Sequence, residues 1–408
     1  MINIALLGNS FTNWGGGIDF LRLCANALAL KSQTFPIKVF LLLPEGSDLI
    51  TLLKNILRPC RDMARNVFFE KHFYPRPKPF DKSLILDSFR NINGELPIVF
   101  YKNTYKGLTS CLREMETDVV LPLETSLGVS FPIPWAGYIP DFQHRYCPQF
   151  FSNEAIMNRD HKFARLLKEA KVIIVNSKAV KDDTHKFFPE HSCRVQNLPF
   201  APVPVETWFD ESDFKTGCRL PERYFIISNQ FWIHKSHITA FEALSKLKSK
   251  AGIDNIDIVC TGKTEDYRFP NYFNELKRKI VDLGLADRIH LLGYLAKKDQ
   301  IHIMRNAIAV LQPTLFEGGP GGGSVYDAVA VGVPAIVSDI QINLEINEDN
   351  ILFFKAGSAD DMAAKMIEVL NWNRVKPDKA LLINKGRSRT EILGDKLLEA
   401  VSFAIADS

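Results

Sequence analysis

The densest run of residues suited to chemistry is Gln312-Pro313-Thr314-Leu315-Phe316-Glu317-Gly318-Gly319-Pro320-Gly321-Gly322-Gly323-Ser324. Val310 to Pro313 read as a strand, and Val325 to Val331 as a helix closed by Gly332-Val333-Pro334. Five glycines between a strand and a helix N-terminus let backbone amides approach an anion closely, and the helix dipole favours negative charge there. A diphosphate is the natural occupant, held by Gly318, Gly319, Gly321, Gly322, Gly323 and Ser324. The alternative is a merely flexible loop, because isolated glycine patterns are weak evidence. Glu317 is harder to explain structurally: a carboxylate at a strand's end can accept two sugar hydroxyls at once.

Such a loop needs a sheet to carry it. Short apolar runs alternate with helical patterns along the chain. Ile4 to Leu7, Val39 to Leu43, Ile98 to Tyr101, Val119 to Leu123 and Val172 to Val175 read as strands, with a glycine loop and a helix from Asp19 to Leu30 after the first. A second series runs Tyr224 to Ser228, Ile256 to Thr261, Ile289 to Leu292, Val310 to Pro313 and Ala335 to Ser338, with helices such as Ser236 to Lys248 and Tyr272 to Leu283 between them. Strands separated by helices imply parallel sheets covered on both faces. Pro199, Pro202, Pro204 and Pro221 interrupt the alternation. The expected division is a Rossmann-like domain over residues 1–198, a linker over 199–221 and a second Rossmann-like domain over 222–408, whose last helix returns to the first. The ligand then lies between the two, at the carboxyl ends of the strands.

Composition excludes several classes. The 408 residues are 46% hydrophobic and 24% charged, as in a protein with real cores. A net charge of +3 argues against a nucleic-acid partner. The seven cysteines are scattered and odd in number, which speaks against a disulfide framework or zinc site and for a reducing, cytoplasmic compartment. No run approaches the ~18 apolar residues of a membrane span, and the N-terminus lacks a basic segment before its apolar run, so no signal peptide is expected. His234 and His237 are spaced as zinc ligands could be, but two histidines without a nearby cysteine make no metal site.

At this point a resemblance becomes visible. Pro313 to Gly318, followed by Asp327-Ala328-Val329-Ala330-Val331-Gly332-Val333-Pro334, is similar to the donor-site motif of family 4 glycosyltransferases, retaining enzymes of the GT-B fold. Ile227 to His237 resembles the family's strand-loop-helix that holds the donor diphosphate, and Leu283 to Tyr294 the segment bordering the nucleobase. Pro140-Asp141-Phe142-Gln143-His144 resembles an acceptor-side segment, and Val175-Asn176-Ser177 the strand end that follows it. The resemblance covers most of the chain from Trp135 to Ser338.

The resemblance implies a nucleotide sugar, UDP- or GDP-linked, as donor substrate, with no further cofactor. Glu317 would bind the sugar's hydroxyls and Lys235 the diphosphate, for which a compact cation is suited. Gly15, Gly16 and Gly17 would let the first domain's backbone approach the phosphate or sugar, or else form a plain turn. Three departures stand out. Gln230 occupies the place of an expected arginine. Val325 occupies that of the second acidic residue, leaving Asp327 as its substitute for the ribose, unless Asp327 forms a capping box with Ser324. Pro140 replaces a histidine, leaving His144 as a candidate sugar contact or an ordinary structural histidine.

The implied activity is metal-independent transfer of a hexose-type sugar to a glycan or lipid-linked acceptor in cell-surface polysaccharide synthesis. A non-catalytic nucleotide-sugar binder, a nucleotide-sugar epimerase and an NAD-dependent enzyme compete with it. Residues 49–65 form an amphipathic helical pattern, with Leu49, Leu52, Leu53 and Ile56 opposite Lys54, Arg58, Arg61 and Arg65. Over 51–82 eight basic residues face three acidic ones. The segment reads either as a packed helix with a solvated basic face or as a peripheral contact with an anionic membrane, on its cytoplasmic face.

Overall fold

The structure, a computed structural model, describes residues 1–13, 15–45, 82–90, 92, 94–210, 219–373 and 376–406. The amphipathic segment 49–65 and the aromatic and basic residues behind it, as far as Phe80, lie outside the described residues.

Two all-parallel sheets carry the fold. The first holds β1 (Ile2–Leu7), β2 (Ile37–Pro44), β3 (Ile98–Tyr101), β4 (Val119–Leu123), β5 (Trp135–Ile139), β6 (Val172–Val175) and β7 (Arg194–Asn197), in the order β3-β2-β1-β4-β5-β6-β7. The second holds β8 (Tyr224–Ser228), β9 (Asp257–Thr261), β10 (Ile289–Gly293), β11 (Val310–Gln312), β12 (Ala335–Ser338) and β13 (Ile351–Phe354), in the order β10-β9-β8-β11-β12-β13. Helices on both faces explain why the central strands are apolar throughout: Val172, Ile173, Ile174 and Val175 are all completely buried. In each sheet the chain moves outward to one side, then returns to start again beside its first strand. The crevices so created lie past β1 and β4 in one sheet and past β8 and β11 in the other. The glycine run after β1 and the Glu317 loop after β11 therefore stand at the two switch points.

Three strands escape the sequence pattern. β5 carries Gly137 in its middle, where a Cβ would lie 2.5 Å from Cδ1 of Ile173 on β6 and 3.2 Å from Cδ2 of Leu166 on the covering helix, so a larger residue is crowded there. β7 (Arg-Val-Gln-Asn) is an edge strand and tolerates polar residues. β13 is the opposite edge of the second sheet and is only four residues long. Two helices also begin earlier than expected. The first runs Gly15–Lys31, so Gly15, Gly16 and Gly17 form its first turn and not a loop before it. The helix after Glu317 runs Gly322–Ala330, taking in Gly322, Gly323 and Ser324. Glycine costs about 1 kcal/mol per helical position relative to alanine. Both helix starts thus give up local stability to keep their backbone bare.

The last helix, Lys379–Ala406, leaves the second sheet and closes the first core. Leu393, Leu397, Ala400 and Val401 pack with Cys24, Ala25 and Leu28 of the helix Gly15–Lys31. Gly394 permits the approach: a Cβ there would stand 3.0 Å from the Ala27 carbonyl oxygen. The stretch between the sheets is also anchored, since Trp208 on the turn Glu206–Phe209 is buried in a second-sheet cluster with Tyr224, Met304 and Val331. Leu397→Ala should leave a cavity costing about 2–5 kcal/mol and lower the denaturation midpoint of the first core. An unchanged urea midpoint would mean that the last helix is not docked there.

Candidate active site

The loop after β11 is shaped by two residues with left-handed backbones, Gly321 (φ 67°) and Gly322 (φ 62°). A side chain is excluded twice over at Gly322, where a Cβ would lie 2.8 Å from Glu317 Oε2. Gly321 is also the N-cap, and no side chain caps the helix Gly322–Ala330. Its N-terminal partial positive charge therefore faces the crevice with Glu317 beside it.

Glu317 is buried, and its Oε1 accepts two donors: Lys235 Nζ at 2.5 Å and Gln312 Nε2 at 2.9 Å. The Lys235 and Glu317 side chains are only 12% and 7% exposed, so this is an ion pair largely removed from water. Lys235 ends the turn Ile233–Lys235 after β8, and Ser236 (φ 48°) then leads into the helix His237–Ala251. The turn is tied to the Glu317 loop by its backbone: Leu315 N donates to the His234 carbonyl at 2.8 Å. Gln230 is half-buried on the same loop, where its carbonyl accepts from Trp232 N at 2.8 Å.

His234 and His237 are each packed against aromatic rings. His237 is completely buried and stacks on Phe231 at 4.6 Å, while His234 faces Trp232 and Phe150. Among the described residues no group of three or more His, Cys, Asp or Glu is placed to hold a metal ion.

Asp327 settles one of the two sequence alternatives. The helix begins at Gly322, which puts Ser324 inside the first turn with its Oγ unpaired, so no capping box forms. Asp327 instead pairs with Lys297 Nζ at 2.5 Å. Burial pushes the Asp327 carboxyl above its usual range and the Lys297 ammonium partly restrains the rise; Asp19 and Arg22 of the first helix also act on it by charge. Lys297 opens the helix Lys297–Asn306 behind Ala296, which offers no cap. A cation at a helix N-terminus opposes the dipole, and its partner Asp327 accounts for the placement.

The first sheet supplies the opposite wall. At Gly318 a Cβ would lie 3.2 Å from Asp141 Oδ2, and Asn176 Nδ2 reaches the Gly318 carbonyl at 3.4 Å and Tyr138 Oη at 2.7 Å. Phe20 stacks on Tyr138 at 4.5 Å and so ties the helix of Gly15, Gly16 and Gly17 to this wall. Gly16 is exposed and Gly17 buried.

His144 is a correction. It is completely buried on the short helix Gln143–Tyr146, its Nε2 is 2.9 Å from Asp160 Oδ1, and Phe142, Phe151 and Phe163 surround it. A ring enclosed in this way has no surface to offer a donor sugar; it is the structural histidine of the two alternatives. Sequence reasoning missed Gln312 and Lys297 as parts of the site. Each carried a signal: an amide ending a buried apolar strand, and a lysine at an uncapped helix start.

Burial, with Lys235 adding to it, pulls His234 down to about 2 and His237 to about 3. The unfolded chain protonates these rings near pH ~6.5 while the folded chain does not. The unfolded state then binds more protons, and stability falls as pH drops from ~6.5 toward the folded values, by up to about 1.4 kcal/mol per pH unit for each ring. His237→Phe keeps the stack on Phe231 and should reduce this acid sensitivity. Urea midpoints at about pH 7 and about pH 5 test it, and an unchanged difference between them would contradict the assignment.

Residues 209–403 match the family model described as glycosyl transferases group 1. A stretch of 101 residues is 28% identical to mannosylfructose-phosphate synthase of Agrobacterium fabrum, covering 25% of this chain but only 21% of that protein. Among solved structures, the Anabaena HepE protein in complex with UDP and glucose superposes with a TM-score of 0.56 at 15% identity, over 100% of this chain and 99% of the other. Sucrose-phosphate synthase of Thermosynechococcus elongatus gives 0.61 at 14% identity over the whole of both chains. A glycosyltransferase of Rickettsia africae gives 0.62 at 13% identity over 100% and 99%. At these identities the structures establish the fold, two parallel sheets in the GT-B arrangement, while the family match rests on the segment holding Lys235, Glu317 and Asp327. Through that segment the chain is similar to the glycosyl transferases group 1 family.

Proposed function

We propose that this chain is a retaining glycosyltransferase that moves a hexose-type sugar from a nucleotide-sugar donor to a glycan or lipid-linked acceptor in cell-surface polysaccharide synthesis. The observation that carries the reading is the Lys235–Glu317 pair beside an uncapped, glycine-built helix N-terminus at a switch point. A diphosphate seated there receives the helix dipole and the Lys235 ammonium. Glu317 remains as the acceptor for the sugar's hydroxyls, and Asp327, held by Lys297, as that for the ribose. Negative charge grows on the leaving diphosphate as the glycosidic bond breaks. The same cation and amides stabilise it more in the transition state than in the bound donor, which is what accelerates the step. The acceptor oxygen bonds to the anomeric carbon on the same face of the sugar from which the diphosphate leaves, and the departing phosphate oxygen takes the acceptor hydroxyl's proton, giving retention.

A lysine and a helix dipole at the leaving group can take a metal ion's place, so we infer metal-independent transfer. A UDP-linked donor is the first to test, since the Anabaena neighbour was solved with UDP and glucose. Gln230, where an arginine is expected, favours a second reading, a non-catalytic nucleotide-sugar binder.

A donor panel read by nucleotide release separates the two. Glu317→Gln should keep the fold and lose most turnover, and activity equal to wild type would sink its role. Lys235→Ala should lose about 3 kcal/mol of transition-state stabilisation, roughly a hundredfold in kcat/KM. Activity should survive EDTA; a complete loss that magnesium or manganese restores would rule out the metal-free mechanism.

A further inference from the structure

Gln312 runs against the character of its own strand. It ends β11, where Val310 and Leu311 are buried apolar residues, and it is itself completely buried. An apolar residue would close the strand equally well, whereas a buried amide is unfavourable unless its polar atoms are paired. Here they are paired, and every partner belongs to the candidate site. Nε2 donates to Glu317 Oε1 at 2.9 Å and to the Gly321 carbonyl at 2.8 Å. Oε1 accepts from Asn229 Nδ2 at 2.6 Å, on the loop that leads to Lys235.

We propose that Gln312 is a positioning residue that holds the Glu317 carboxylate in register with the Gly321 turn and the loop after β8, so that the sugar grip is aligned on a phosphate cradle that the helix start and Lys235 form without it. The proposal rests on the reading of Glu317 as the sugar-binding carboxylate. Its logic lies in the difference between Glu317's two donors. Lys235 is charged and is drawn toward a diphosphate when one arrives, which weakens its hold on Glu317. Gln312 is neutral and is held at its other end by Asn229, so it keeps its place. Both donors use Oε1, which leaves Oε2 turned toward the Gly322 backbone.

The test uses the intact chain with UDP-glucose and GDP-mannose as donors, nucleotide release as the readout, and UDP and GDP affinities measured in parallel. Gln312→Leu should bind the nucleotide within about twofold of wild type while kcat falls about a hundredfold, the order of loss that misplacing a substrate-gripping group brings. Gln312→Glu adds a pH signature. The charged groups facing that position are Glu317 and Lys235, with Asp141 across Gly318. Two adjacent carboxyls share a proton and hold it to raised pH. The introduced carboxyl, when protonated, donates to Glu317 as the amide did. Activity of this variant should therefore recover at low pH and fall as pH rises, a limb that wild type lacks. A Gln312→Leu variant with wild-type kcat, or a Gln312→Glu variant with the wild-type profile, would overturn the proposal. So would a Gln312→Leu loss that tracks lost nucleotide binding and a lowered melting temperature, since that marks a packing residue. Full activity of Glu317→Gln, or release from neither donor by wild type, would instead remove the reading beneath it and the proposal with it.

Discussion

A lysine and a glutamate 82 positions apart meet at 2.5 Å in a site with little access to water, and the rest of the site is arranged around them. Withdrawing two charges from water costs several kcal/mol per ion, and the pair repays this only with good geometry and further hydrogen bonds. Glu317 has those in Gln312 and in the neighbouring helix N-terminus. Such a pair is poor value as a device for stability alone, because apolar residues of similar size would serve as well. On the function proposed above, it keeps a cation and a carboxylate ready, each to find a better partner when a charged, hydroxyl-rich ligand enters.

The pair sits where the two sheets meet, and the contacts across that junction involve the same loops. Asn343 Oδ1 accepts from Gly321 N at 2.8 Å, which holds the turn that shapes the Glu317 loop. Two residues on, the Glu345 carboxylate accepts from Lys178 N at 2.8 Å and Ala179 N at 2.6 Å, at the start of the helix Lys178–Phe187 that follows β6. A carboxylate at a helix N-terminus is favourable for the same reason that a phosphate is. Phe150 reaches across to His234 and Phe269 at ring distances of 6.0 and 5.5 Å. The last helix adds a covalent return path by docking on the first core. The relative placement of the sheets is thus tied to the loops that carry Lys235 and Glu317.

Much of this was legible from the sequence because it depends on local rules. Strands buried on both faces read as apolar runs, and glycine clusters at strand ends mark crevices. What escaped depends on partners far along the chain. Nothing near Gln312 says that its amide will find Asn229, Glu317 and Gly321, and Lys297 gains its meaning only from Asp327. His144 stayed open between its two readings for the same reason: three residues after Asp141, nothing local says that Phe142, Phe151 and Phe163 will enclose it. The glycines of both helix starts were visible, but whether they formed loops or first turns turned on backbone geometry that residue type leaves open.

On the proposed function a nucleotide diphosphate binds between Lys235 and the glycine-built helix start, with its sugar on Glu317. A crystal structure of the intact protein with a bound UDP-sugar tests this most directly. Diphosphate oxygens should lie within hydrogen-bond distance of Lys235 Nζ and of the backbone amides at Gly322–Ser324, and sugar hydroxyls on the Glu317 carboxylate. A nucleotide sugar seated elsewhere, with the Lys235–Glu317 pair intact and untouched, would contradict it.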